Sequence, residues 1–207
     1  MLETVDPEFA SYVDARQGRW LRTAYLVYGD LQRAEHALLQ AFTRLSPQWS
    51  KADDPDAFVQ GALYQPALTR WSRLRPFPGT ESPVEQALAG LTSTQRTVLV
   101  LLHLEELTEF ETADVLALSQ TAVHTQGLSA FSAMRGQGIG RREDVGPVLA
   151  EVADDLPEVD LADRAWLAGK IRRRRRRRAT GAGVLAALVV GLIVALAFLS
   201  GWLPVTG

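Results

Sequence analysis

The sequence predicts an all-α protein of two small helical domains followed by one C-terminal transmembrane helix. Three observations predict it. Apolar side chains recur at spacings of three and four through residues 9–135, with no strand-like alternation of useful length. Helix-start signals follow one another closely, at Asp54-Pro55, Ser82, Thr92, Thr108 and Ser119. Finally, residues 179–203 form 25 positions without an ionisable group, about 37 Å if helical against a bilayer core of about 30 Å.

The first helix is expected over 9–28, with Phe9, Tyr12, Val13, Trp20, Leu21, Ala24 and Tyr28 on one face. Gly29 and Asp30 end it and cap the next, which carries Leu31, Ala34, Leu38, Phe42 and Leu45 as a stripe and runs to about Trp49. A third helix starts at Asp54, whose carboxylate can accept from free backbone N–H groups, with Pro55 where a missing N–H costs nothing. It is expected to reach Arg75, kinked at Pro66. Past a Pro/Gly/Ser linker at 76–83, three S/T-x-x-E/Q capping boxes mark short helices: Ser82 with Glu85, Thr92 with Gln95, and Thr108 with Glu111. Val98–Leu104 reads as a core helix and Phe110–Ala117 as a short one. Ser119 caps a last helix, Gln120–Arg135, with Val123, Leu128, Phe131 and Met134 inward. A short helix, a tight turn at Leu116–Ser119 and a longer helix have the spacing of a DNA-binding helix-turn-helix, and equally of an ordinary helical hairpin.

The predicted domains are therefore 1–75, a linker 76–83, a helix-turn-helix domain 84–137, an acidic juxtamembrane segment 138–178 and a transmembrane helix 179–203. The formal net charge of -2 averages over unlike parts. Residues 1–75 carry 9 basic and 9 acidic side chains, 76–140 carry 2 and 7, and 141–207 carry 11 and 8. The basic charge of the last part is concentrated in Arg172, Arg173, Arg174, Arg175, Arg176, Arg177 and Arg178, preceded by Lys170. Such a run flanking an apolar stretch sets membrane orientation, which places the N-terminal part in the cytoplasm and the C-terminus outside, in a single-pass cell-membrane protein. The same arginines would also suit lipid headgroups or DNA phosphates. The acidic N-terminus, with Glu3, Asp6 and Glu8, is not expected to be a signal peptide.

No catalytic pattern emerges. The chain has no Cys, which excludes disulfides, thiolate nucleophiles and Cys-ligated metal. His36, His103 and His124 fall on separate predicted helices, without H-E-x-x-H, and no G-x-x-x-x-G-K-[ST] or G-x-S-x-G is present. The glycines of 136–140 follow a helix and precede Arg141 and Arg142, so they read as a flexible linker. Asp154, Asp155, Glu158, Asp160 and Asp163 fit no calcium loop and read as a solvated acidic face. Neither an enzyme, a cofactor nor a metal is expected.

The phrases LRTAYLVYGDLQRAEHALLQAFTRL (21–45) and DPDAFVQGALYQPALTRWSRLR (54–75) resemble region 2 of the extracytoplasmic-function (group IV) RNA polymerase sigma factors, of an actinobacterial type. The phrase LTSTQRTVLVLLHLEELTEFETADVLALSQTAVHTQGLSAFSAMR (91–135) resembles their region 4. Core positions Leu21, Ala24, Leu38, Phe42, Trp71, Val98, Leu101, Ala113, Leu116 and Val123 fall where the family places apolar residues. The resemblance implies that the first unit binds the polymerase core and melts the −10 promoter element, while the last helix of the second reads the −35 element.

By that resemblance the polymerase-binding residues are Glu35, His36, Leu39 and Gln40, although His36, Leu39 and Gln40 stand where the family has acidic and amide groups. The DNA-binding residues are Arg70, Trp71, Arg73 and Arg75 in the first unit and Gln120, Thr121, His124, Thr125 and Arg135 in the second. Arg70, Trp71, Arg73 and Arg75 suit phosphates and an unstacked base, or else a core tryptophan beside a solvated helix end. In the second unit the family's four basic positions are His124, Gln126, Ser129 and Ala133, leaving Arg135. Losing about four phosphate contacts weakens DNA binding by orders of magnitude. Residues 143–170 resemble, more weakly, the cytoplasmic stretch of actinobacterial membrane proteins that accompany such factors, and suggest an intramolecular clamp over a basic surface.

Two functions are compatible with these residues. One is a membrane-tethered sigma-like regulator that binds RNA polymerase core and promoter DNA. The alternative is a degenerate sigma-like module acting as a membrane-bound interaction or anti-sigma-type subunit without initiation activity. Expected partners are polymerase core, promoter DNA, an anti-sigma or other regulatory membrane protein, and the lipid bilayer through 179–203.

Overall fold

The computed structural model describes residues 5–68, 82–154 and 156–172. Helix α1 (Pro7–Tyr28) begins two residues earlier than the apolar spacing indicates, because Asp6 accepts from the backbone N–H groups of Glu8 and Phe9 and Pro7 occupies the first turn. Gly29, at φ 69°, ends it in the left-handed conformation that only glycine adopts without strain. Asp30 then caps α2 (Leu31–Leu45) by accepting from Arg33 N–H.

Helix α2 stops short of Trp49. The chain tightens into a 3₁₀ turn at Ser46–Lys51, where Pro47 supplies no N–H for a regular ladder. Helix α3 (Pro55–Tyr64) has the predicted Asp54 cap, with Ala57 N–H donating at 3.0 Å. Pro66 does more than kink it: the α-helix ends at Tyr64 and continues as a 3₁₀ turn, Gln65–Leu68.

The second unit comprises α4 (Pro83–Gly90), α5 (Ser93–His103), α6 (Glu109–Leu116) and α7 (Gln120–Gly136). Thr92 with Gln95 and Thr108 with Glu111 form reciprocal capping boxes. Ser82 caps α4 with no side-chain hydrogen bond, so the third expected box does not form. Ala117, at φ 52°, closes the turn between α6 and α7, and Ser119 caps α7 by accepting from Ala122 N–H.

Helix α7 is rotated from its expected setting. Val123, Gly127, Ala130 and Met134 are buried, while Leu128 is 46% exposed. Gly127 allows this: a Cβ there would lie 3.1 Å from Leu102 Cδ1, so the missing side chain lets α7 close onto α5. A short helix α8 (Val145–Val152) and a last helical stretch, 162–172, complete the described chain.

Both units share one continuous core. Its first part is aromatic: Phe9, Tyr12, Trp20, Phe42 and Trp49 stack edge-on or tilted, with centroid separations of 4.9–6.5 Å. Tyr28 donates to Leu63 O at 2.6 Å, tying α1 to α3, and burial pushes its hydroxyl up to about 12. Its second part is aliphatic, with Val98, Leu99, Val100 and Leu101 of α5 fully buried.

The transmembrane expectation is corrected. Among the described residues no helix is long and apolar enough to cross a membrane. Helix α1 has the length but carries Glu8, Asp14, Arg16, Arg19 and Arg22. Helix α5 is apolar, yet its 11 residues reach about 16 Å. The stretch 179–203 and arginines 173–178 lie outside the described residues, and Arg172 ends the described helical stretch. The single-pass placement and the lipid contact drawn from 179–203 fall with that expectation.

Candidate functional site

The two units meet across a small buried polar cluster. Glu105, just past α5, is 4% exposed. It accepts a hydrogen bond from the Thr23 hydroxyl of α1. Its Oε2 lies 2.6 Å from an Arg19 guanidinium nitrogen, close enough for an ion pair but not aligned as a hydrogen bond. Tyr64 of α3 is wholly buried beside them, and burial first, then the Glu105 carboxylate, holds its hydroxyl protonated. Arg96 of α5 is 2% exposed and reaches Val27 O at 3.5 Å, with burial pushing its pKa down to about 10. Gln65 donates to Val115 O at 2.9 Å, joining the turn after α3 to α6. Neither Glu105 nor Arg96 carries a motif; their role depends on residues about 70–80 positions away, beyond the reach of local spacing.

The residues expected on the polymerase side lie on α2. His36 is exposed, and Glu35, Leu39 and Gln40 are half-buried. The Glu35 carboxylate is engaged from within the chain, Oε1 standing 2.6 Å from Arg164 Nη1. The tail thus pairs with the first unit in both senses. Arg22 with Asp154, at 3.9 Å, has the expected sense, but the closest ion pair places a tail arginine on an acidic residue of α2.

The DNA-side residues of the first unit, Arg70, Trp71, Arg73 and Arg75, lie outside the described residues. Those of the second, Gln120, Thr121, His124, Thr125 and Arg135, are all exposed on α7. Their surroundings are neutral to acidic. His124 Nδ1 is 2.8 Å from Glu109 Oε1, so the α6 carboxylate takes up the one imidazole of this face. Glu111, the partner of Thr108 in the capping box, is held below its ordinary value by the Thr108 backbone and hydroxyl hydrogen bonds. Phe110 of α6, 71% exposed, adds a large apolar side chain that sequence spacing does not flag.

An open groove of about 470 Å³ lies between the end of α5 and α8, lined by His103, Glu106, Arg142 and Pro147 among others. Burial, and secondarily Arg142, lowers the His103 pKa. Among the described residues no cluster of three or more His, Asp or Glu could hold a metal ion.

The geometry defines a class first: among the described residues, an all-helical fold whose second unit carries a helix-turn-helix with a weakly charged outer face. A particular likeness goes further. The chain is 28% identical over 159 residues to the RNA polymerase sigma-E factor of Streptomyces coelicolor, a match spanning 66% of this chain and 89% of that protein. No protein-family model matches the chain.

Proposed function

We propose that the protein is a sigma-factor-like regulator of transcription initiation, not an enzyme, with RNA polymerase core and promoter DNA as partners. The carrying observation is the likeness to a sigma factor across 89% of that relative's length. In this reading α2 presents Glu35, His36, Leu39 and Gln40 to the polymerase. Arg70, Trp71, Arg73 and Arg75 meet the melted strand, where arginine neutralises phosphate and an indole stacks on a base. Helix α7 faces duplex DNA through Gln120, Thr121, His124, Thr125 and Arg135.

The test is capture of core polymerase by the full chain, followed by transcription from a library of promoter fragments. Promoter-dependent transcripts that disappear with Arg70→Ala are the expected outcome. Absence of both capture and transcripts overturns the reading.

A second reading is favoured by the α6–α7 surface: a sigma-like module that binds polymerase or another regulatory protein without initiating transcription. His124 held by Glu109 and the exposed Phe110 support it, because a DNA-facing helix gains affinity chiefly from cations that release phosphate counterions. Capture without any transcript, together with duplex binding no stronger than that of an acidic control protein, is its signature.

A further inference from the structure

We propose that residues 156–172 form a detachable strap that occupies the polymerase-facing side of the first unit, so that the free chain is self-inhibited; this rests on the polymerase reading of the first unit. Four contacts place the strap. Leu161 N–H donates to Gln17 Oε1 of α1 at 3.0 Å. The Trp166 ring lies 5.2 Å from that of Phe9. Arg164 pairs with Glu35 of α2 at 2.6 Å. Gly169 packs so tightly on the end of α2 that a Cβ would lie 2.5 Å from Ser46 Oγ and 3.1 Å from Thr43 O.

Leu161, Ala162, Ala165 and Gly169 are the buried positions, one helical face turned onto the first unit. Apart from Leu161 the fully buried side chains along this face are small, and the larger apolar contact comes from Trp166, partly buried against Phe9. The Arg164–Glu35 pair is 56% and 32% exposed at its two side chains, which makes it a weak tie in water. With Arg164 on Glu35 Oε1, Leu161 on Gln17 and Gly169 against Ser46, a polymerase surface that docks over Glu35 meets the strap first. Strap closure and polymerase docking therefore compete for one surface, and the outward Leu167 and Ile171, 62% and 48% exposed, leave the strap's far face uncommitted.

The experiment compares the full-length chain with its Arg164→Glu and Gly169→Val variants. The first turns the pair with Glu35 into a repulsion; the second forces Ser46 and the strap apart without altering a charge. Amide hydrogen exchange over 31–46 and 161–172 reports closure, and titration onto immobilised core polymerase reports docking. Apparent affinity for a competent form scales with its population, so both variants are expected to exchange faster and bind about tenfold more tightly.

Faster exchange with unchanged or weaker polymerase binding overturns the strap while leaving the polymerase reading intact. Unaltered exchange in both variants also overturns it, since the named contacts then do not hold the segment. Loss of helical signal throughout both variants shows that the segment belongs to the core and is not detachable. Failure of all three proteins to bind polymerase overturns the polymerase reading, and the strap's role with it.

Discussion

Removing the Glu105 carboxylate takes away the acceptor for Thr23 and the partner of Arg19 at once. Arg19 is 65% exposed and can return to water, and Thr23 keeps a 3.2 Å bond to Arg19 O. Glu105→Ala is therefore expected to cost about 1–3 kcal/mol, read as a lower urea midpoint, with Glu105→Gln losing less because an amide oxygen still accepts. His103 yields a pH prediction. Its pKa is lowered in the folded chain from the usual 6.5, so below about 6.5 the unfolded state binds more protons. Stability from this group is full above that pH and is lost as pH falls toward the folded value. Thermal melts between pH 7.5 and 5.5 should show the decline, and His103→Gln should flatten it; an identical slope in the variant would falsify the assignment. Glu111 acts at more acid pH: its depressed pKa contributes stability above the usual carboxylate range that is lost as pH falls through the folded value.

The turn between α6 and α7 is held by Ala117 in a left-handed conformation, at φ 52°. For a residue with a Cβ this costs about 1–2 kcal/mol, partly offset in a glycine by about 0.4–1 kcal/mol of extra unfolded-chain entropy. Ala117→Gly should thus raise stability by about 0.5–1 kcal/mol, visible as a higher melting temperature. Such turns and caps were the most legible part of the chain. Asp30, Asp54, Thr92, Thr108 and Ser119 each act on an N–H three residues away, so their work is written in adjacent letters. The setting of α7 was not legible. Leu128 has the right spacing and hydropathy to face inward, yet the helix turns it out because Gly127 meets Leu102 from another helix. Nothing within 120–136 encodes that encounter. Helix α3 lies between these cases: Pro66 announced a disturbance, but whether a proline kinks a helix or ends it depends on what packs beyond it.

Across the whole molecule the charge distribution sets the terms for DNA. Residues 76–140 carry 2 basic and 7 acidic side chains, and the structure puts Glu109 against the outer face of α7. Gln126→Lys with Ser129→Arg should strengthen duplex binding and steepen its dependence on salt by about 0.9 in log–log slope for each additional phosphate neutralised. Fluorescence anisotropy at several salt concentrations checks this, and an unchanged slope would mean that α7 does not approach the duplex. The family resemblance supplied the candidate surfaces, and their residues could be named from the chain alone. What it did not supply was their occupancy. Glu35 engaged by Arg164, and His124 by Glu109, are tertiary pairings of residues 129 and 15 positions apart. The apolar stretch 179–203 led to a membrane expectation that no described helix meets.

The separation between Arg164 and Glu35 also has a consequence in time. A ribosome adds about 5–20 residues each second, so the 129 residues between the two partners take on the order of ten seconds to synthesise. For that interval α1 and α2 are without the strap's contacts to Phe9, Gln17 and Glu35. The newborn chain is then in a different binding state from the finished one, and whatever meets it first during translation meets it before Arg164 exists.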